Sequence, residues 1–197
     1  MPLKNKPTPK HPRENSKAAL LLLDVITDFE FEDGDKLLKN TLPVARRLAK
    51  LKERAKDSGI AAIYVNDNFG QWQEDFKTMA EHFLQPSSKG RKVVELLRPE
   101  PDDYYILKPH RSAFYSTSLM LLLANLGVKK LIVTGITTDI CILFTANDAY
   151  MRGFDLHIPR DCVAAVKPAY SKSSLEFIER VLKADTTPSD KLKLGRL

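Results

Sequence analysis

The sequence contains little cysteine and no long hydrophobic run, and each shortage excludes a class of protein. Cys141 and Cys162 are the only cysteines among 197 residues, which is too few for a disulfide framework. The longest apolar run, Ala18 to Leu23, ends at Asp24 and is far too short to cross a bilayer. No hydrophobic leader is evident either. We therefore expect a cytoplasmic protein, not bound to a membrane, whose thiols are free for chemistry.

Nucleic-acid binding is also disfavoured, although the formal net charge is +6. Much of the positive excess lies near the two ends of the chain, and the first 16 residues contain almost nothing apolar. The sequence shows neither aromatic residues interleaved with the basic ones nor a nucleic-acid-binding motif. We therefore predict no nucleic-acid partner, a disordered basic tail at residues 1–16, a single domain at 17–185 and a basic C-terminal tail at 186–197.

The domain alternates short apolar runs with longer segments of helical period, which is typical of a parallel sheet with crossover helices. The runs are continuous rather than alternating, which indicates strands that are buried on both faces. We predict a three-layer α/β/α fold with a mainly parallel, roughly six-stranded Rossmann-like sheet. Five strands are predicted at residues 18–23, 60–65, 104–107, 130–134 and 155–159. Four helices are predicted at 44–58, 89–98, 116–126 and 141–152, and Gly or Pro follows each of them.

Three residues with catalytic chemistry follow predicted strands, at the edge where open α/β sheets bind ligands. Asp24 follows the first strand, Lys108 the third and Cys141 the fourth. Cys141 opens a helix, where free backbone N–H groups favour a thiolate over a thiol and can hold an oxyanion. Taken singly, Cys141 is equally a small buried hydrophobe, Asp24 a turn cap and Lys108 a surface cation. Burial of a lysine charge beside an acid and a thiol costs free energy. Such a lysine is therefore best explained by a role in the chemistry of these two groups.

These residues lie in three sequence segments that together resemble one protein family. The segments are LLLLDVITDF at residues 20–29, LKPHRSAFYSTSL at 107–119 and LIVTGITTDICILFTANDAYMRGF at 131–154. In their order and spacing they resemble the isochorismatase-like cysteine hydrolases, which include nicotinamidase, N-carbamoylsarcosine amidase, ureidoacrylate amidohydrolase and isochorismatase. The resemblance extends from Ala18 to about Val181.

The resemblance implies roles for five residues. Asp24, Lys108 and Cys141 fall on the family's catalytic Asp, Lys and Cys, and Ile136-Thr137 falls on its characteristic cis peptide. In the family this geometry directs the amides of Thr137 and Cys141 at one oxyanion. Asp24 would take the thiol proton, and the thiolate would attack an amide carbon. The resemblance also implies a homo-oligomer.

Substrate recognition is predicted from the polar segment after the second strand, which places Asn66, Asp67, Asn68 and Trp72 together. The alternatives are a solvated turn and, for Trp72, a contact between subunits. Phe29 and Phe114 are further candidates for the pocket wall, although aromatic residues near a strand end often belong to the core.

The chain departs from the family pattern at two positions. Ile26 stands where many members have Gln, which favours a more apolar pocket floor. Phe69 stands at the histidine of the Asp-x-His metal motif of nicotinamidases. His11, His82, His110 and His157 have no metal-ligand spacing, and we expect each at the surface or as a cap. We therefore predict no metal and no cofactor, and nicotinamide is disfavoured as the substrate.

The sequence thus predicts a cysteine hydrolase that cleaves a C–N bond of a small amide or carbamoyl compound through a thioester acyl-enzyme. Two alternatives stay open at this point. One is an isochorismatase-type vinyl ether hydrolase, in which the Asp acts as an acid and no thiol nucleophile is needed. The other is a catalytically silent binding protein on the same fold.

Overall fold

A six-stranded parallel sheet lies at the centre of the chain, whose residues 17–70 and 75–194 are described by a computed structural model. The strands are β1 (Ala18–Leu23), β2 (Ala61–Asp67), β3 (Tyr104–Lys108), β4 (Lys130–Ile136), β5 (Asp155–His157) and β6 (Val163–Ala164). They lie in the order β3-β2-β1-β4-β5, and β6 pairs with the end of β4. The predicted mainly parallel sheet is confirmed.

Helices cover both faces of this sheet. They are α1 (Gly34–Asp57), α2 (Phe76–Phe83), α3 (Arg91–Leu96), α4 (Leu119–Asn125), α5 (Leu143–Met151) and α6 (Pro168–Leu182). A π-helical turn, Thr138–Ile142, runs directly into α5, and a 3-10 turn spans Ser189–Lys191. Of these helices, none in the described part of the chain is long and apolar enough to span a membrane.

The side chains of β1 show why the protein forms three layers. Successive residues of a strand point to opposite faces of a sheet. Leu20 and Leu22 pack into one hydrophobic cluster with α1, α2 and α3, whereas Leu21 and Leu23 pack into a second cluster with α4, α5 and α6. All four leucines are fully buried. The predicted three-layer α/β/α architecture is therefore confirmed.

The longest helix, α1, begins at Gly34, ten residues before the predicted start at 44. Pro43 directly precedes the predicted start, and a proline inside a helix is costly because it lacks an N–H and clashes with the preceding turn. The structure accommodates Pro43 inside the helix. Leu37 and Thr41 are buried on the core side, and the Thr41 hydroxyl donates a hydrogen bond of 2.8 Å to the Leu37 carbonyl. Burial of this first half offsets the cost of the proline.

His157 and the segment after it differ from the expectation of a surface histidine and a separate tail. His157 is buried, its Nδ1 lies 3.1 Å from a carboxylate oxygen of Asp185, and its Nε2 lies 3.0 Å from the Thr187 carbonyl. Further on, the Arg54 guanidinium donates hydrogen bonds to the carbonyls of Ser189 and Leu192. Residues 186–194 thus pack against α1, whereas the predicted tail at 1–16 lies outside the described residues.

Candidate active site

The strand register brings the three predicted catalytic residues to one edge of the sheet. Leu23 of β1 is level with Val65 of β2 and with Gly135 of β4. Asp24 is the next residue after Leu23, and its N–H donates a hydrogen bond to the Val65 carbonyl. Lys108 ends β3. Because all these strands are parallel, their carboxyl ends meet at the same edge.

Gly135 permits the close approach of β4 to β1 at this edge. Its φ angle is +110°, a region that L side chains rarely adopt. A Cβ atom at this position would lie 2.1 Å from the Leu23 carbonyl oxygen. Glycine is therefore required beside Asp24, because any side chain here would push the two strands apart.

Lys108 lies between the carboxylate and the thiol. Its Nζ is 3.0 Å from Asp24 Oδ2 and 3.7 Å from Cys141 Sγ, and its side chain is fully buried. Burial lowers the pKa of Lys108, but the negative charges beside it, foremost Asp24, outweigh this effect and leave its pKa raised. Lys108 is therefore a cation that can hold Asp24 in place and stabilise negative charge on sulfur.

Asp24 is a carboxylate in a largely apolar setting. Its side chain is 14% exposed, and its Oδ1 accepts a hydrogen bond of 2.7 Å from the Asp67 N–H. Burial raises the pKa of Asp24, although the charge of Lys108 and a hydrogen bond with Cys141 act in the opposite direction. A raised pKa makes this carboxyl group a better proton acceptor than an exposed aspartate, which suits a group that must both accept and return a proton.

The pKa of Cys141 differs from what the helix start alone would favour. The residue lies in the π-helical turn and is half-buried. Burial and the adjacent Asp24 carboxylate raise the pKa of Cys141 to about 12, whereas Lys108 and a backbone hydrogen bond from Thr137 lower it. The expected gain from the helix start is thus outweighed by desolvation, and the resting group is a thiol. Its proton must be removed before sulfur can act as a nucleophile.

The turn before Cys141 places backbone donors beside the sulfur. The peptide bond between Ile136 and Thr137 is cis, and Thr137 forms a backbone hydrogen bond with Cys141 Sγ. The Thr138 hydroxyl and the Ser171 hydroxyl, 2.6 Å apart, tie the π-helical turn to α6. Those N–H groups of a first helical turn that lack partners within the helix are available to an anion.

The predicted substrate-binding residues have different surroundings. Asn66 is fully buried, and its amide makes two hydrogen bonds to the backbone of Ile26, at 3.1 and 2.8 Å. Asn66 therefore holds the loop after Asp24. Its side-chain oxygen and one of its N–H groups are used in these bonds and are not available to a substrate. Asn68 accepts a hydrogen bond from the Gly70 N–H. Trp72 lies outside the described residues.

Both predicted aromatic wall residues pack in the core. Phe29 is fully buried within the α1 side of the core. Phe114 belongs to the opposite cluster, where its ring lies 6.0 Å from that of Phe154 and 4.9 Å from the Arg152 guanidinium. Phe154 precedes β5 and so lies at the amino end of the sheet. The hydrophobic effect places both rings away from solvent, and their surroundings give no support to substrate contact.

Asp67, the last residue of β2, lies within reach of Lys108. It is paired with Lys108 in the strand register, and its Oδ2 lies 3.5 Å from Nζ.

Phe69, at the position of the metal-binding histidine in nicotinamidases, is 44% exposed. Among residues 17–70 and 75–194, no group of three or more His, Cys, Asp or Glu side chains is arranged to hold a metal ion.

The fold and this arrangement define a class of protein: a doubly wound α/β domain with a thiol, a carboxylate and a buried ammonium at the carboxyl edge of its sheet. Comparison with known proteins identifies the family. The model of the Isochorismatase domain matches residues 18–188. The chain belongs to the isochorismatase family of hydrolases, as its sequence motifs predict.

Individual relatives span most of the chain. It is 40% identical over 174 residues to the uncharacterized isochorismatase family protein YaaI of Bacillus subtilis, covering 88% of this chain and 95% of YaaI. It is 32% identical to a probable inactive nicotinamidase of Arabidopsis thaliana, covering 76% of this chain and 82% of that one. Among solved structures, the pyrazinamidase/nicotinamidase of Streptococcus mutans matches with a TM-score of 0.68 at 26% identity, over 86% of this chain and 99% of that one.

Proposed function

We propose that the protein is a cysteine hydrolase that cleaves the C–N bond of a small amide or carbamoyl compound through a thioester acyl-enzyme. The observation that carries the proposal is the position of the buried Lys108 ammonium, 3.0 Å from the Asp24 carboxylate and 3.7 Å from the Cys141 sulfur. A thiol beside a base and a cation is the arrangement of an activated nucleophile.

The first half-reaction begins when Asp24 takes the proton of the Cys141 thiol. The thiolate attacks the carbonyl carbon, and the carbonyl electrons move to oxygen. The N–H groups of Thr137 and Cys141 stabilise this oxyanion. When the intermediate collapses, the C–N bond breaks and Asp24 delivers its proton to the departing nitrogen. The products are a thioester on Cys141 and a free amine or ammonia.

The second half-reaction uses the same carboxylate as a base towards water. Asp24 removes a proton from a water molecule, which attacks the thioester carbonyl. The C–S bond then breaks to release the acid, and Asp24 returns the proton to the Cys141 thiolate, which restores the starting thiol and carboxylate. The raised pKa of Asp24 suits this repeated exchange. Lys108 stays charged throughout and stabilises the thiolate each time it forms.

A second candidate function is hydrolysis of a vinyl ether by acid catalysis. The observation that favours it is the raised pKa of Asp24, because a protonated carboxyl group can donate a proton to a double bond. A silent binding protein is the third candidate, and it is supported by the relative from Arabidopsis thaliana that is a probable inactive nicotinamidase.

Mass spectrometry of the intact protein, quenched in acid after incubation with pooled small amides, tests the proposal. We expect an added mass on Cys141 that equals the acyl half of the substrate, in the wild type and in the Cys162→Ala control. The Cys141→Ala variant should carry no adduct. Vinyl ether hydrolysis that persists in Cys141→Ala would favour the second candidate, and a Cys141 that acylates with no member of a broad pool would contradict the proposal.

A further inference from the structure

Asp67 is placed at the site by its backbone, which leaves one carboxylate oxygen facing the catalytic groups. Its N–H donates to Asp24 Oδ1, and its own Oδ1 accepts a hydrogen bond of 2.8 Å from the Phe69 N–H. Its Oδ2 is 3.5 Å from Lys108 Nζ, longer than the 3.0 Å from Asp24 Oδ2 to the same atom. Lys108 is thus bound more closely by Asp24 than by Asp67.

Exposure separates the two carboxylates further. The side chain of Asp67 is 38% exposed, compared with 14% for Asp24 and none for Lys108. Asp67 is therefore the most accessible from solvent of these three charged groups, while its Oδ2 still lies 3.5 Å from the Lys108 ammonium beside Cys141. With both carboxylates ionised and the thiol protonated, one cation balances two anions, and the net charge of these groups is −1.

We propose that Asp67 is a specificity-determining residue that selects substrates by charge. It disfavours amides that carry a carboxylate next to the reacting group. It favours amides whose non-reacting part is cationic or rich in N–H groups, because these groups can donate hydrogen bonds to Oδ2. This assignment rests on the proposed function of Cys141 as the nucleophile. It names the substrate class as neutral or cationic amides and ureas.

A purely structural role for Asp67 is the competing explanation. The bond from the Phe69 N–H to Oδ1 is an ordinary turn contact after a strand. That contact uses one oxygen only, and asparagine can make it equally well. An Asp67→Asn substitution therefore keeps the turn and removes the charge, which separates the two roles.

Charged thiol reagents test the proposal without knowledge of the substrate. Methanethiosulfonates with a trimethylammonium or a sulfonate group transfer a thioalkyl group to sulfur and release methanesulfinate. We would measure the rate of each at Cys141 by mass spectrometry and divide both by the rates with 2-mercaptoethanol. A change in the pKa of Cys141 alters both rates alike, so it cancels in the ratio of cationic to anionic reagent.

In the wild type we expect the normalised ratio to favour the cationic reagent by about tenfold or more, and Asp67→Asn to lower it by about tenfold. Glu53→Gln is the matched control, because it removes an exposed carboxylate on α1 and should leave the ratio unchanged. Asp67→Ser is a second variant that retains an oxygen for the turn. Thermal melting of each variant checks that it folds.

A ratio that is the same in the wild type, Asp67→Asn and Asp67→Ser would overturn the proposal, as would a wild type that prefers the anionic reagent. These results are distinguishable from failure of the proposed function. That failure is the absence of an acyl adduct on Cys141 with pooled amides, whereas the reagent ratio requires only that the thiol be reachable.

Discussion

Lys108 Nζ lies 3.0 Å from Asp24 Oδ2, with the lysine side chain fully buried and the aspartate nearly so. Both groups lose hydration at this position, and each is tolerated because the other compensates its charge. The same pair sets the proton affinity of the site, since burial raises the pKa of Asp24 and the lysine limits that rise. The contact between Lys108 and Asp24 therefore both stabilises two buried charges and adjusts the pKa of the proposed base.

The pH dependence of the rate should report the raised pKa of Asp24. The base is the ionised carboxylate, so kcat/KM should fall as pH drops through a pKa that lies above the ordinary value of 3.8. We would measure kcat/KM from about pH 4 to 8 with the substrate found by acyl trapping. A flat profile over this range would show that no carboxylate of raised pKa takes part.

Replacement of Lys108 by methionine should lower kcat/KM by about 100-fold or more, because the forming thiolate and the Asp24 carboxylate lose their cation. Without the lysine, burial acts unopposed and the acidic limb of the pH profile should move to higher pH. Lys36→Met is the control, since Lys36 forms an exposed ion pair with Asp33. Equal losses in the two variants would argue against a specific role.

The Asn66→Ala variant should lose about 2–4 kcal/mol of unfolding free energy, because it leaves two backbone groups of Ile26 without partners in a buried setting. The free energy would be measured by urea denaturation. Asn125→Ala, at the exposed end of α4, should change it by less than about 0.5 kcal/mol. A similar small effect at Asn66 would mean that the loop after Asp24 is held by other contacts.

Stability should fall on mild acidification because of His157. Burial lowers the pKa of His157 below its ordinary value of 6.5, even though Asp185 opposes this shift. The unfolded chain therefore binds a proton more readily, and the unfolding free energy decreases as pH falls below about 6.5. His157→Gln should show a smaller loss between about pH 7 and 5.

The control for this measurement is His82→Gln, which changes an exposed histidine of α2 and should retain the wild-type slope. The lowered pKa of Asp185 contributes in a different window, because its stabilisation is lost only as pH falls below about 3.8. An unchanged slope in His157→Gln would contradict the assignment to His157.

Several sequence interpretations were wrong for a common reason. The helix start was expected to favour a thiolate at Cys141, the first helix was predicted to begin at residue 44, and His157 was expected at the surface or as a cap. Each expectation used a local pattern, namely the helix start, the amphipathic period of residues 44–58 and the usual exposure of histidine. In each case burial by distant parts of the chain was the larger effect. Local rules carry no information about which segments pack together.

The residues themselves determined the parallel sheet, the two-sided burial of β1 and the family, because continuous apolar strands and the motifs around Asp24, Lys108 and Cys141 are local patterns. Tertiary structure alone decided that Asn66 braces a loop, that Phe114 joins the core and that Asp67 faces Lys108. Those outcomes depend on strand register and on desolvation. Both arise only when segments far apart in the chain come into contact.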